Sequence, residues 1–276
     1  MVSRLGRSAR RRAYALFTLA MRGVEAAGAD VRYLLNIHGR PAGVRVQWLH
    51  DEPGLLRGAI KTLRVGDIEL KFFVENDRDA IQGCHRRGEL YEAEELAIIG
   101  RAYQGGVLVD VGANVGNHAV YAVKVLKAAK VIAFEPDPLA AAIFEINAAL
   151  NGCGDALILH KLGLSDEAGR ACLVSEKDNL GGTRLETGSG PVEVVRGDEV
   201  LAGDHVGLIK IDTEGFELHV LSGLAATIER CRPPLFIEVE NANIPALEDY
   251  CARQGYRIAE EFRRYAVCTN FLAVPA

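Results

Sequence analysis

The chain has 276 residues, 49% of them apolar, with 32 Lys and Arg against 37 Asp and Glu and a formal net charge of −5. That supports one large core, with or without a small satellite. Six arginines and no acid fall in residues 1–22, leaving −11 on the rest, so the main body has no basic surplus for nucleic acid.

From the N-terminus, Arg10-Arg11-Arg12 precede a nine-residue apolar run, residues 13–21, closed by Arg22. The run is too short to span a bilayer, and Arg22 and Glu25 interrupt it before a signal-peptide cleavage site. Residues 1–22 fit a surface helix of an N-terminal extension, or a basic amphipathic helix in peripheral contact with anionic lipid. Residues 30–87 read as a small β-rich or mixed region. Within it residues 44–49 alternate, and residues 58–64 pair with 68–74 around Gly66-Asp67. The expected division is therefore an extension, 1–87, and a main domain, 88–276. Leu90, Ala93, Leu96, Ala97 and Ile99 mark an amphipathic helix over 89–103.

Residues 107–116, VLVDVGANVG, are a buried strand running into a glycine turn, with helical spacing after it. The D-x-G-x-N-x-G pattern of Asp110, Gly112, Asn114 and Gly116 departs from the dinucleotide fingerprint G-x-G-x-x-G. An acid at that strand end repels a pyrophosphate but suits an ammonium, while the helix N-terminus favours a carboxylate. S-adenosylmethionine offers both groups. The next strand, 130–135, ends in Glu135, nineteen residues after Gly116, where an acid can accept both ribose hydroxyls.

An Ala-rich helix over 137–150 and a strand over 156–161 follow. Gly163, Gly169, Gly181, Gly182, Gly188 and Gly190 punctuate 163–200 around short β runs at 170–175 and 191–196, the mark of an insertion or flap. Strands at 206–211 and 234–239 bracket a helix over 215–229. A helix over 246–254 then leads to an antiparallel pair, 256–261 with 266–274. The whole is an α/β doubly wound, mostly parallel, Rossmann-like sheet with a C-terminal antiparallel hairpin.

Lys210 and Asp212 share a face of a core strand, which is costly unless the charges are paired or used. Asp212 is the candidate general base, with Lys210 holding it ionised. Glu214 and Gly215 are expected to open the following helix. Glu238 is a second carboxylate on that sheet edge, placed to bind an acceptor hydroxyl or to join Asp212 around a divalent cation. Two carboxylates do not establish a metal site, and none is assigned. His118, at a helix start, reads as a surface or capping residue, with reach to the cofactor or acceptor as the alternative, and the other histidines lack metal-ligand spacing. The six cysteines form no C-x-x-C pair and read as reduced structural thiols of a cytoplasmic protein.

VDVGANVG, AFEPD and LIKIDTEGFELHVLSG, in this order and at these spacings, resemble the FkbM family of S-adenosylmethionine-dependent methyltransferases over roughly residues 88–240. The resemblance implies a class I methyltransferase fold acting on hydroxyl oxygens of sugars, glycolipids or polyketides. It also implies that Tyr91 and Glu92, in a G-x-x-Y/W-E element, close over the methionine end of the cofactor; solvation of the helix start is the equal alternative. Asn179-Leu-Gly-Gly-Thr183 resembles the family's N-x-G-G stretch, which could cover the acceptor; a mobile surface loop is the plain alternative. A nicotinamide oxidoreductase would need a third glycine and would avoid Asp110. A non-catalytic cofactor-binding or scaffold protein on the same fold is the remaining alternative, and the intact set of Asp110, Glu135 and Asp212 argues against it.

Overall fold

The computed structural model describes residues 42–47, 53–176 and 179–276. The basic arm, 1–22, and its lipid-contact reading lie outside the described residues. Among those described, no helix is long and apolar enough to cross a membrane.

β1 (Ala42–Gln47), β2 (Pro53–Val65) and β3 (Ile68–Val74) form an antiparallel sheet in that order. Gly66, at φ +57°, makes the left-handed step between β2 and β3. α1 (Ala80–Arg87) is capped by Asp79, whose carboxylate accepts the Gln82 N–H. α2 (Ala93–Ala102) starts later than its apolar spacing implies, because Glu92 adopts a left-handed φ of 56°. Leu90 therefore precedes the helix.

The main sheet begins with β4 (Val107–Val111), α3 (Asn117–Lys124), β5 (Lys130–Phe134), α4 (Pro138–Leu150) and β6 (Leu157–His160). An inserted sheet follows: β7 (Gly163–Leu164), β8 (Gly169–Glu176), β9 (Asn179–Thr187) and β10 (Val192–Val195). The chain returns through α5 (Gly197–Val200), β11 (Val206–Ile211), α6 (Glu217–Gly223), α7 (Ala225–Cys231) and β12 (Leu235–Glu240). It ends with α8 (Ile244–Gln254), β13 (Tyr256–Phe262) and β14 (Cys268–Pro275).

The seven main strands lie in the order β13-β14-β12-β11-β4-β5-β6. β12, β11, β4, β5 and β6 run parallel, and β14 is antiparallel to both β12 and β13. The chain winds outward from β4 to β6, then resumes at β11 on β4's other side. The β4–β11 boundary is thus the topological switch point, where open α/β sheets bind ligands. β4 is buried along its length. Val107, Val109 and Val111 join a core with Ile209, Ile211 and Ile237, whereas Leu108 joins Ala119, Val131 and Phe144 in a second core. The N-terminal sheet packs against this body: Leu56 and Phe73 meet Ile143 and Ile146 of α4, and Leu63, Leu70 and Phe72 meet Val120 of α3.

Two sequence expectations need correction. The insertion is a four-stranded sheet, ordered β7-β10-β8-β9, and the Asn179 stretch is a strand within it, not a loop. Backbone pairing such as Leu173 with Leu185 forms this strand despite Gly181 and Gly182, which weaken its propensity. The helix expected over 215–229 starts at Glu217 and divides at Leu224. Glu214 and Gly215 hold left-handed φ values of 52° and 98° and form the preceding turn.

Asn147 ties the layers together. Fully buried on α4, its Oδ1 accepts the Phe73 N–H at 2.7 Å, and its Nδ2 donates to the Val115 carbonyl at 2.8 Å. Asn147→Ala would strand one backbone donor and one acceptor, each costing about 1–3 kcal/mol. The expected loss is about 2–4 kcal/mol in chemical denaturation. A loss below about 0.5 kcal/mol, typical of a surface change, would show that both groups find other partners.

Candidate active site

At the end of β4 the chain turns beneath β11. Gly112 takes φ +75°, and a Cβ there would lie 1.7 Å from the Asp212 carbonyl oxygen. Asn114 holds a left-handed φ of 48°, which Asn tolerates, and its Oδ1 accepts the Val115 N–H at 2.8 Å. Gly116, at φ +85°, sits where a Cβ would meet the Phe144 ring at 2.8 Å. The three residues make a turn that no larger side chains would permit.

Glu135 follows β5 and is buried. Its Oε2 accepts the Asn114 N–H at 2.8 Å and its Oε1 the Asp137 N–H at 2.7 Å. Each oxygen keeps a lone pair for a further donor. Burial pushes this carboxyl up to about 7, against the pull of the two amides.

Lys210 lies opposite Asp110 in the β11–β4 register. Its Nζ is 3.3 Å from Asp110 Oδ1, 3.3 Å from Asp212 Oδ2, and donates to the Gly112 carbonyl at 2.8 Å. Burial opposes its charge, but Asp110, Asp212 and Glu92 hold the ammonium above its usual value. Asp110 is fully buried, and burial raises its pKa while Lys210 draws it back. The ammonium beside Asp110 is that of Lys210, and Asp110 is not among the residues that line the cavity.

Above this floor is a cavity of about 350 Å³. Six of the nine sequence-derived site residues line it: Glu92, Gly112, Asn114, Glu135, Asp212 and Glu238. Asp110, Gly116 and Lys210 support it from below. Gly112 and Asn114 of the glycine turn, Glu135, Asp212 and Glu238 all border it, with Gly112 lying against Asp212, and Leu180 and Gly181 of β9 belong to its wall.

The Asp212 end is crowded with acids. Burial, then Asp212, pushes Glu238 up to about 7, while Asn270 Nδ2 donates to its Oε2 at 2.9 Å. Burial, then Asp212 and Glu238, pushes Glu214 up to about 8. Glu92 is raised for the same reasons. Its Oε2 lies 3.6 Å from His118 Nε2. His118 is buried and its pKa lowered by that burial, contrary to the surface or capping reading. Asp212, Glu214 and Glu238 each offer an oxygen, all within 4.8 Å of one another, an arrangement open to a hard cation but short of its full coordination.

Sequence reasoning missed Glu214 as a cavity residue, though it lies in the same KIDTEGFE stretch. It also missed Tyr265 and Cys268, which line the cavity, and Asn270, which holds Glu238. The Tyr265 hydroxyl is 2.7 Å from that of Tyr91. No motif marks these C-terminal residues.

The model of the "Methyltransferase FkbM domain" matches residues 110–258, more than half of the chain. The chain belongs to the FkbM methyltransferase family. It is similar to Hexuronic acid methyltransferase AglP of Haloferax volcanii, at 28% identity over 194 residues, covering 67% of this chain and 78% of that protein. Among solved structures it resembles the methyltransferase FkbM from Methylobacillus flagellatus KT at 21% identity and a TM-score of 0.47. That match covers 60% of this chain and 43% of the other, so the chain spans less than half of that protein. A second likeness is M. capricolum TrmK, solved with S-adenosyl-homocysteine, at 11% identity and a TM-score of 0.45, covering 68% and 69% of the two chains.

The raised carboxyl of Glu135 gives this FkbM-family methyltransferase a pH signature. Its folded pKa, about 7, exceeds the ordinary value of 4.5. Its contribution to stability is thus complete below about 4.5 and is lost as pH rises through about 7. Glu135→Gln should flatten the stability profile between about pH 5 and pH 8, read from denaturation midpoints without ligand. Glu92, Glu214 and Glu238 leave a residual slope. Superimposable profiles would show that Glu135 is already ionised in both states.

Proposed function

We propose that this methyltransferase uses S-adenosylmethionine to methylate a hydroxyl oxygen of a carbohydrate or related small-molecule acceptor. The observation that carries this reading is one cavity bordered by a glycine turn, a buried acid and a lysine-braced carboxylate. The sheet, with β13 and β14 at its end, supports a class I methyltransferase fold over residues 88–276. Ala80 and Ile81 of the N-terminal extension contribute to the same cavity.

The residues present fit the cofactor. Gly112 allows the close backbone approach that a Cβ would block, and Glu135 keeps two lone pairs for ribose hydroxyls. Glu92 suits the ammonium of the methionine end. When bound, the cofactor supplies an electrophilic methyl group on a sulfonium. Asp212, partly exposed in the cavity, takes the acceptor hydroxyl's proton, and Lys210 holds it oriented. Glu238, fixed by Asn270, receives a neighbouring hydroxyl.

Several carboxylates converging on one cavity suit a polyhydroxylated acceptor, because each offers acceptor lone pairs to hydroxyl donors. The hexuronic acid specificity in the name of the relative supports the same class. A scaffold protein has no use for this costly acid cluster.

Calorimetry should show S-adenosylhomocysteine binding, and Glu135→Ala should weaken it by about 1–3 kcal/mol. Asp212→Asn should retain that binding while turnover falls about 10²–10⁴-fold. Because the change also alters the partner of Lys210, folding must be measured alongside. A folded, cofactor-binding Asp212→Asn variant with near-normal turnover would eliminate the base role. Absence of S-adenosylhomocysteine binding by the wild type would remove the cofactor assignment.

A further inference from the structure

Five carboxylates line the cavity: Glu92, Glu135, Asp212, Glu214 and Glu238. Among the described residues, the only cationic side chain lining it is Arg184, on β9. A cation that served to neutralise those acids would be buried and bonded among them. Lys210 is such a cation, 4% exposed and in contact with two carboxylates. Arg184 is built differently. Its side chain is 57% exposed, and its nearest ion-pair partner is Glu240 Oε1 at 3.8 Å, beyond hydrogen-bond reach. The same Glu240 oxygen lies against Gly215, next to Glu214, and the charge of Arg184 acts on Glu214.

An anionic acceptor entering this cavity is repelled by the carboxylates unless its own charge is turned toward Arg184. A guanidinium presents donors in a planar fork that matches a carboxylate in two parallel hydrogen bonds. The hydroxyls of the same acceptor are donors, matched to Asp212 and Glu238. Resting on the carbohydrate reading above, we propose that Arg184 is a specificity-determining residue that receives the carboxylate of an acidic sugar, turning a ring hydroxyl toward Asp212. The cavity would then discriminate acidic sugars from their neutral counterparts through one contact on the inserted sheet.

The test compares para-nitrophenyl glucuronide with para-nitrophenyl glucoside as acceptors for the full chain with S-adenosylmethionine. Wild type is expected to favour the glucuronide in kcat/KM by on the order of 10- to 100-fold, the worth of one charge-assisted contact, expressed mainly in KM. Arg184→Gln should collapse that ratio toward one, and Arg184→Lys, which keeps the charge but not the fork, should restore part of it. S-adenosylhomocysteine affinity of each variant reports that fold and cofactor end are intact. A wild-type ratio near one, or a ratio that Arg184→Gln leaves unchanged, would overturn the assignment of Arg184 while leaving carbohydrate methylation standing. Methylation of neither sugar by protein that binds S-adenosylhomocysteine would overturn the carbohydrate reading, and this inference with it.

Discussion

The Lys210 ammonium is the interaction on which the rest of the site depends. It sits almost wholly buried in the middle of a parallel sheet, where an unpartnered charge would cost several kcal/mol. Three groups from two strand ends satisfy it: the Asp110 carboxylate, the Asp212 carboxylate and the Gly112 carbonyl. The same contacts bind the register of β11 to β4, draw the glycine turn under the end of β11, and set Asp212 at the cavity edge. Gly112 expresses that closeness sterically, since the Asp212 carbonyl occupies the space a side chain would need. One buried cation and one missing Cβ are therefore two faces of a single constraint at the switch point.

Around this pair the acids divide by what satisfies them. Glu135 is bonded by two backbone amides, so its position is fixed before any ligand arrives. Near Asp212, Glu214 and Glu238 are raised by burial and then by Asp212. One buried ammonium cannot hold all of them ionised without cost. Those carboxyls have an unfilled demand for hydrogen-bond donors or positive charge, whereas Glu135 is already organised. A hydroxylated acceptor meets the first demand, and the proposed division between acceptor and cofactor follows from the difference.

Much of the parallel core was legible because buried strands read as unbroken apolar runs, and acids stand out against them. Asp110, Glu135, Lys210 and Asp212 were visible for that reason. The placement of Asp110 was not, because facing Lys210 depends on a register between segments 100 residues apart. β9 was hidden because its glycines carry loop propensity while its stability comes from pairing with β8. The early end of α6 was hidden because Leu221 and Leu224 keep helical spacing across the break. Tyr265 and Asn270 lie on a terminal hairpin whose alternation predicts strands but not which residues reach a site on β12.

The family match, residues 110–258, contains the glycine turn, Glu135, Asp212 and Glu238, yet the cavity is not closed by that span alone. Tyr91 and Glu92 come from before it, Tyr265 and Cys268 from after it, and the two tyrosine hydroxyls meet across the cavity. The Asp79 carboxylate caps α1 with one oxygen and accepts the Leu180 N–H with the other, joining the N-terminal segment to the inserted sheet. The groups proposed to move the proton and to receive the ribose thus sit on the shared parallel core, while Glu92 reaches the cavity from before it. The walls around the acceptor end come from segments that meet only when the whole domain is assembled. Those walls are held by contacts apart from Lys210 and its partners, among them the hydrogen bonds of Tyr91 with Tyr265 and of Leu180 with Asp79.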